Sequence, residues 1–393
     1  MASLLLLAAA IIFRKASASP IDSFSRAHGD CTQFNIPVVA TAPSAIYDIP
    51  RVNNDIEAAA WTIHSGTWSI PEGPQLIIRN TTTFGTFNIH VQLCVPKSTS
   101  KNTLQIATHG VHYDSRYWDP ELVREKQSYV EASLKAGYTI LTYDRLGTGQ
   151  SDIPNAYDVV QAPLELEILR QLTLLARNGT LYNLASKVNS SSAAFHSLPK
   201  PNKVTHIGHS FGSFITSAFI ARYPDLTEGA IITGFILSKY LGMVGTTAFS
   251  PLFGGVSPYN RPSGYIVCSK TGIQNIFFGG NLTTAYSTAM LDYGNAIKQP
   301  FAVGELASAF NIIGLPGPGL KAPVQYVLAE FDFYICAGDC KGLADPKVLA
   351  ATYPNAKEIE VVIQPNTGHA FTLHNNATAG YQLTFDFLAK HGL

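Results

Sequence analysis

From residue 104 onward, apolar runs of strand length alternate with longer stretches of helical periodicity, and this alternation restricts the possible folds more than any other feature. LQIATHG (104–110), YTILTYD (138–144), KVTHIGH (203–209), GAIITGFIL (229–237), APVQYVLAE (322–330) and EIEVVIQ (358–364) read as strands. Helical stretches fall at 119–137, 164–177 and 211–223, and a last one over 381–390 closes the chain. In the first of these, Asp119 is the expected cap, Pro120 sits in the first turn and Gly137 is the stop. Upstream, PQLIIRN and FNIHVQLCV read as an antiparallel pair joined by a turn around Thr83 to Gly85. Together these runs predict an α/β fold with a mostly parallel eight-stranded sheet flanked by helices.

Two stretches break the rhythm. Residues 19–73 carry Pro37, Pro43 and Pro50 with few periodic apolar runs, and are expected as an N-terminal extension packed on the core. Residues 240–320 are rich in glycine, alanine and aromatic side chains, and their helix-like pieces do not alternate with strands. An insertion of that length is long for a plain loop and is expected to form a helical lid. The core then comprises residues 74–239 and 321–393.

The first 18 residues have the form of a signal peptide. Leu4 to Phe13 is too short to span a bilayer but suits an h-region, and Ala16-Ser17-Ala18 offers a small-x-small cleavage site. Arg14 and Lys15 follow the run instead of preceding it, which departs from the usual order. Five N-x-[ST] sequons, at Asn80, Asn178, Asn189, Asn281 and Asn376, fit export as glycosylation acceptors. Five cysteines allow two disulfides and one leftover thiol in an oxidising compartment. Cys336 and Cys340 are close enough to pair locally, and Cys268 is an alternative partner for either. The protein is therefore expected to be secreted, with no stable membrane anchor once the leader is removed.

Lysine plus arginine equals aspartate plus glutamate, at 27 each, with no basic run, so nucleic acid is not an expected partner. No closely spaced second pair of Cys or His completes a zinc site, and no nucleotide-binding glycine fingerprint occurs. No metal and no cofactor is expected. Oligomeric state is not legible.

Chemistry concentrates at Gly208-His209-Ser210-Phe211-Gly212, between the strand 203–209 and the helix that follows it. A serine hydroxyl is a weak nucleophile unless it is exposed, oriented and paired with a base. A sharp strand-to-helix turn presents Ser210 at the carboxyl edge of the sheet, and Gly208 and Gly212 leave the room such a turn needs. The helix N-terminus behind it favours developing negative charge.

In this arrangement the chain resembles the α/β-hydrolase superfamily, in its esterase, lipase and aminopeptidase-like branch. Beside the elbow, His109-Gly110-Val111-His112 is similar to the family's oxyanion turn, and the stretch from Asp144 to Ser151 looks like its D-x-x-G-x-G-x-S segment. An acid after the strand 322–330 and a Gly-His near the C-terminus complete the family's order of Ser, acid, His. The resemblance implies Ser210 as nucleophile, His369 as general base and Asp332 as the acid orienting it. His374 is the rival base, and Glu330 and Asp339 are the rival acids. The implied oxyanion donors are the backbone N–H groups of Phe211 and Val111, with His112 as alternative to the latter. In the lid, Phe249, Phe253, Tyr259, Phe277, Phe278 and Tyr286 suggest an apolar or aromatic pocket, the majority of them being expected simply to pack the lid.

The expected activity is hydrolysis of a small to medium, apolar, ester-like substrate through an acyl-enzyme. A peptidase, thioesterase, lactonase or secondary-metabolite-tailoring hydrolase or lyase could use the same three side chains. An aminopeptidase would need an acidic anchor such as Glu305 or Asp292. A secreted binding protein that has lost the chemistry is the non-enzymatic alternative.

Overall fold

The computed structural model describes residues 22–393 apart from 68, 98–100, 190–192, 197, 199 and 242–245. The leader 1–18 lies outside these residues. The main sheet draws on β1 (Asp22–Ser25), β2 (Gly29–Tyr47), β3 (Ile77–Pro96), β4 (Thr103–Thr108), β5 (Thr139–Tyr143), β6 (Lys203–His209) and β7 (Gly229–Thr233). After the insertion, which carries β8 (Pro251–Phe253), β9 (Tyr265–Cys268) and β10 (Phe301–Ala302), come β11 (Val324–Ala329) and β12 (Ile359–Gln364).

Nine strands form the sheet, in the order β1-β2-β3-β5-β4-β6-β7-β11-β12. From β5 to β12 all neighbours run parallel, and β1, β2 and β3 add an antiparallel margin. The expected eight strands become nine for two reasons. Residues 77–96 form one continuous strand with no turn at Thr83 to Gly85, and the segment 19–73 supplies β1 and β2 instead of only lying over the core. Along β2, Phe34, Ile36, Val38, Ala40 and Ala42 are buried while the residues between them are exposed, a period-2 pattern that buries one face. Cys31 and Cys94 face each other across β2 and β3 and are disulfide-bonded.

Helices Ala162–Arg177 and Phe211–Arg222 pack on each other, and Tyr129–Lys135 packs against the C-terminal helix Ala377–Lys390. Tyr129 and Phe385 stack with ring centroids 5.6 Å apart in the second pair. The expected helix 119–137 is instead two short pieces, Arg124–Gln127 and Tyr129–Lys135, with Ser128 capping the second through the Glu131 N–H. Asp119 does not cap a helix there; its carboxylate pairs with the Arg26 guanidinium and accepts from the Ser128 hydroxyl.

The insertion also departs from a purely helical lid. Its strands form a three-stranded antiparallel sheet ordered β10-β9-β8, accompanied by helices Lys270–Phe277, Thr288–Ile297 and Val303–Ser308. Tyr265, Ile266, Val267 and Cys268 are all buried, so β9 is a buried strand of this small sheet.

The strand order reverses direction at β4, with β5 on one side and β6 on the other. In a parallel sheet, crevices for ligands open beyond the carboxyl ends of strands at such a point. The turn His109–Val111 follows β4, Ser210 follows β6, Asp332 follows β11 and His369 follows β12, all at that edge.

Candidate active site

Ser210 links β6 directly to helix Phe211–Arg222 and adopts φ 54°, ψ −120°, a conformation costly for a residue with a side chain. The turn closes this tightly because its flanks are bare. A Cβ on Gly208 would lie 2.5 Å from the Gly212 carbonyl oxygen, and one on Gly212 would lie 2.2 Å from that of Thr108. Neither position admits any other residue without movement of backbone.

His369 Nε2 lies 2.8 Å from Ser210 Oγ, and His369 Nδ1 lies 2.6 Å from Asp332 Oδ2. A carboxylate only accepts, so Nδ1 carries the imidazole proton and Nε2 is left to receive that of Ser210. The other Asp332 oxygen accepts the Ile335 N–H at 2.9 Å, which orients the carboxylate. The acid turn is itself braced. Cys336 and Cys340 form a disulfide just beyond it, and the Gly338 N–H donates to the Asp332 carbonyl at 3.0 Å. Ser210, His369 and Asp332 are 4%, 1% and 1% exposed, so bulk water hardly reaches the arrangement.

The turn after β4 passes close to the serine. A Cβ on Gly110 would stand 2.9 Å from Ser210 Cβ, so only a glycine lets this backbone approach. Next to it, the Val111 N–H has no acceptor among the described residues, and neither has the Phe211 N–H at the first turn of the elbow helix. His112, the alternative donor, has φ 65° and is held by the insertion: its Nδ1 accepts the Cys268 N–H at 3.2 Å and its carbonyl the Gln299 N–H at 2.8 Å. Its ring sits among Phe249, Phe277 and Phe301.

The other histidines near Ser210 are committed elsewhere. His109 Nε2 accepts the Arg145 N–H at 2.9 Å and its Nδ1 donates to the Gly110 carbonyl at 2.8 Å, tying the two loops together. Burial, with Arg145 nearby, lowers its pKa to about 3. His209 stacks on Tyr117 at 4.3 Å and bonds Thr233, and burial holds it well below the usual imidazole range. His374 Nε2 accepts N–H groups from Gly279 at 3.3 Å and Gly368 at 3.0 Å. Its Nδ1 donates to the Ala370 carbonyl at 2.8 Å, and burial lowers its pKa to about 4. It braces the loop that carries His369 and does not touch Ser210. Glu330 pairs with Lys341 and accepts the Asn366 N–H at 2.7 Å, while Asp339 accepts the Lys341 N–H at 3.0 Å.

One feature behind the site was not anticipated from the sequence. Arg145, 1% exposed, pairs with both Glu165 and Glu305, and its guanidinium lies 4.9 Å from the Phe211 ring centroid. Burial raises the Glu165 pKa well above the usual carboxylate range, against the pull of Arg145. The cluster joins the loop after β5, helix Ala162–Arg177 and the insertion. A buried arginine within the stretch 144–151 was the available signal, but its two carboxylates are 20 and 160 residues away. Glu305 is therefore engaged and unavailable as an amine anchor, and Asp292 pairs with Lys270 at the surface.

Of the six lid aromatics, Phe249 and Phe277 approach the site, with the Phe277 ring 5.7 Å from that of His369. Phe278 and Tyr286 instead pack on His374. Tyr334, from the acid turn, lies 5.9 Å from His369, and burial together with Asp332 pushes its phenol up to about 12. Among the sequons, Asn80, Asn178 and Asn281 are exposed and Asn376 is half-buried. Asn189 is 5% exposed, a poor position for an acceptor on the folded chain.

Residues 106–380 match the model of a family described as the alpha/beta hydrolase family. No curated protein matches the chain. Among solved structures, an esterase from Thermogutta terrifontis is 15% identical with a TM-score of 0.45, covering 79% of this chain and 96% of its own. A proline iminopeptidase from Mycobacterium smegmatis is 14% identical with a TM-score of 0.48, covering 79% of this chain and 97% of its own. A monoacylglycerol lipase from Paleococcus ferrophilus is 12% identical with a TM-score of 0.46, covering 75% and 96%.

Proposed function

This chain belongs to the alpha/beta hydrolase family, and from that premise we propose that it is a secreted serine esterase acting through an acyl-enzyme. The observation that carries the reading is the relay Ser210 Oγ–His369–Asp332, with contacts of 2.8 and 2.6 Å. Ser210 Oγ attacks the ester carbonyl carbon as its proton passes to His369 Nε2. The tetrahedral oxyanion is received by the N–H groups of Phe211 and Val111, both without a protein acceptor among the described residues. Collapse expels the alcohol, which takes the proton from His369. Water then repeats the sequence on the acyl-enzyme, releasing the acid and restoring Ser210. Asp332 keeps its charge throughout and stabilises the imidazolium.

Export is supported by the leader-like first 18 residues and by the two disulfides, Cys31–Cys94 and Cys336–Cys340. An ester is favoured over an amino-terminal peptide because the expected amine anchors Glu305 and Asp292 are already ion-paired. The test is turnover of p-nitrophenyl acetate by purified protein. We expect hydrolysis that is lost in Ser210→Ala; hydrolysis persisting in that variant would refute the mechanism.

A further inference from the structure

The site described above is closed over, yet a cavity of about 690 Å³ lies beside it. That volume is within the range of about 300–1,000 Å³ that encloses a small organic ligand. Two side chains connect the cavity to the reacting groups. Phe214 is one turn along the elbow helix, its N–H bonded to the Ser210 carbonyl at 3.1 Å, and Tyr334 stands against the His369 ring. Both line the cavity. The rest of the wall is chiefly apolar and comes from two sources. Leu306, Phe310 and Ile313 belong to the end of the insertion, and Ile49, Trp61 and Leu76 belong to the N-terminal segment.

The N-terminal segment is informative here. Residues 49–76, which supply about half of this wall, lie outside the 106–380 match to the family. Helix Asp55–Gly66 turns Trp61 inward, where it is 2% exposed, and packs against the insertion at β8. A second cavity of about 310 Å³ shares Ile49, His64, Pro71 and Leu76 with the first and adds the polar Asp48 and Gln75. On the side toward the reacting groups the chamber ends at Tyr334, whose ring lies 5.9 Å from that of His369.

We propose that the chamber holds the acyl chain of the ester substrate, an apolar chain of medium length that passes Tyr334 to reach Ser210, with the segment 49–76 setting its length. The inference rests on the esterase reading above. A chain of this kind gains by leaving water in proportion to the area it buries against the chamber wall. A short acyl group would leave the chamber unfilled.

The test compares p-nitrophenyl octanoate with p-nitrophenyl acetate. Ala307, on helix Val303–Ser308, lines the chamber and is partly exposed, so Ala307→Trp would fill the space from its edge. The octanoate-to-acetate ratio of kcat/KM is expected to fall at least about tenfold in this variant. An unchanged ratio would overturn the proposal. Should that variant fail to fold, Phe310→Ala enlarges the same chamber and must raise the dodecanoate-to-octanoate ratio; no change there overturns it equally. Binding separates this inference from the esterase reading. Calorimetric titration of p-nitrophenyl octanoate into Ser210→Ala, and into Ser210→Ala/Ala307→Trp, reads the chamber without chemistry. Binding to the first that the second loses upholds the chamber even if the wild type hydrolyses neither ester. Equal binding to both, or none to either, overturns it.

Discussion

Asp332 divides its carboxylate between two tasks: one oxygen holds His369 Nδ1 at 2.6 Å and the other caps its own turn through the Ile335 N–H at 2.9 Å. The same group thus aims the imidazole and fixes the loop from which it does so. Asp332→Asn keeps the size and one acceptor but can donate to His369, favouring the wrong tautomer. A kcat loss of about 10⁴-fold is expected, with an unchanged circular dichroism spectrum. Glu330→Gln, two residues earlier and paired with Lys341, should leave kcat nearly unchanged. The opposite ranking in steady-state kinetics would reassign the acid.

The approach of Gly110 to Ser210 makes a second prediction. A methyl group there would sit 2.9 Å from Ser210 Cβ and 3.1 Å from the His209 carbonyl oxygen. Gly110→Ala must therefore shift either the serine or the Val111 N–H, and a displacement near 1 Å costs about a hundredfold in rate. The loss should appear in kcat with KM little altered. A variant with native kcat would mean that the turn after β4 takes no part in the reaction.

His374 distinguishes bracing from catalysis. Removing its ring leaves the N–H groups of Gly279 and Gly368 without their acceptor. Each orphan costs about 1–3 kcal/mol, so His374→Ala should lower stability by about 2–6 kcal/mol in urea denaturation while turnover persists below the unfolding transition. His369→Ala should do the reverse, losing turnover at near-native stability. Loss of turnover in a folded His374→Ala protein would contradict this division.

Acid should unfold the protein earlier than its carboxylates alone would require. Burial lowers the pKa of His109, His112 and His206 to about 3 and that of His374 to about 4, against an ordinary 6.5. Below about pH 6.5 the unfolded chain takes up protons that the folded chain refuses, so stability is full above that value and is lost as pH falls toward 4. Each histidine contributes up to about 1.4 kcal/mol per pH unit in that window. Asp144 and Glu165, raised mainly by burial, act in the opposite sense and offset part of the loss. The urea midpoint should drop between pH 7 and pH 5; a flat profile would mean that these rings titrate normally in the folded state.

The parts of the fold legible in the sequence were those with a local signal. The strand Lys203–His209 and the helix beginning at Phe211 were bounded correctly because an apolar run, a glycine-flanked turn and a second apolar run meet there within a few residues. Strand β2 was missed for a physical reason. Pro37 and Pro43 argue against a strand, since proline cannot donate to a ladder. Among the described residues β1 covers β2 only at residues 30–33, so beyond it the far edge of β2 has no partner strand there for its prolines to interrupt. The supposed turn at Thr83 to Gly85 failed with it, because a strand of 20 residues is only intelligible once its 19-residue partner is known.

In the site, Ser210, His369 and Asp332, each picked out by a local sequence context, come into contact in the fold. The Arg145–Glu165–Glu305 cluster and the chamber behind Tyr334 were not found, since both are assembled from distant segments. Aromatic content does not say which rings face a cavity: Phe278 and Tyr286 pack on His374, while Trp61 and Phe310 line the chamber.

Activation of Ser210 as a nucleophile is read most directly by intact-protein and peptide mass spectrometry after treatment with a fluorophosphonate. The expected result is a single adduct on Ser210, formed rapidly by the wild type, strongly slowed in His369→Ala and absent in Ser210→Ala. Folded wild-type protein that takes up no label on Ser210, or that labels equally well without His369, would contradict it.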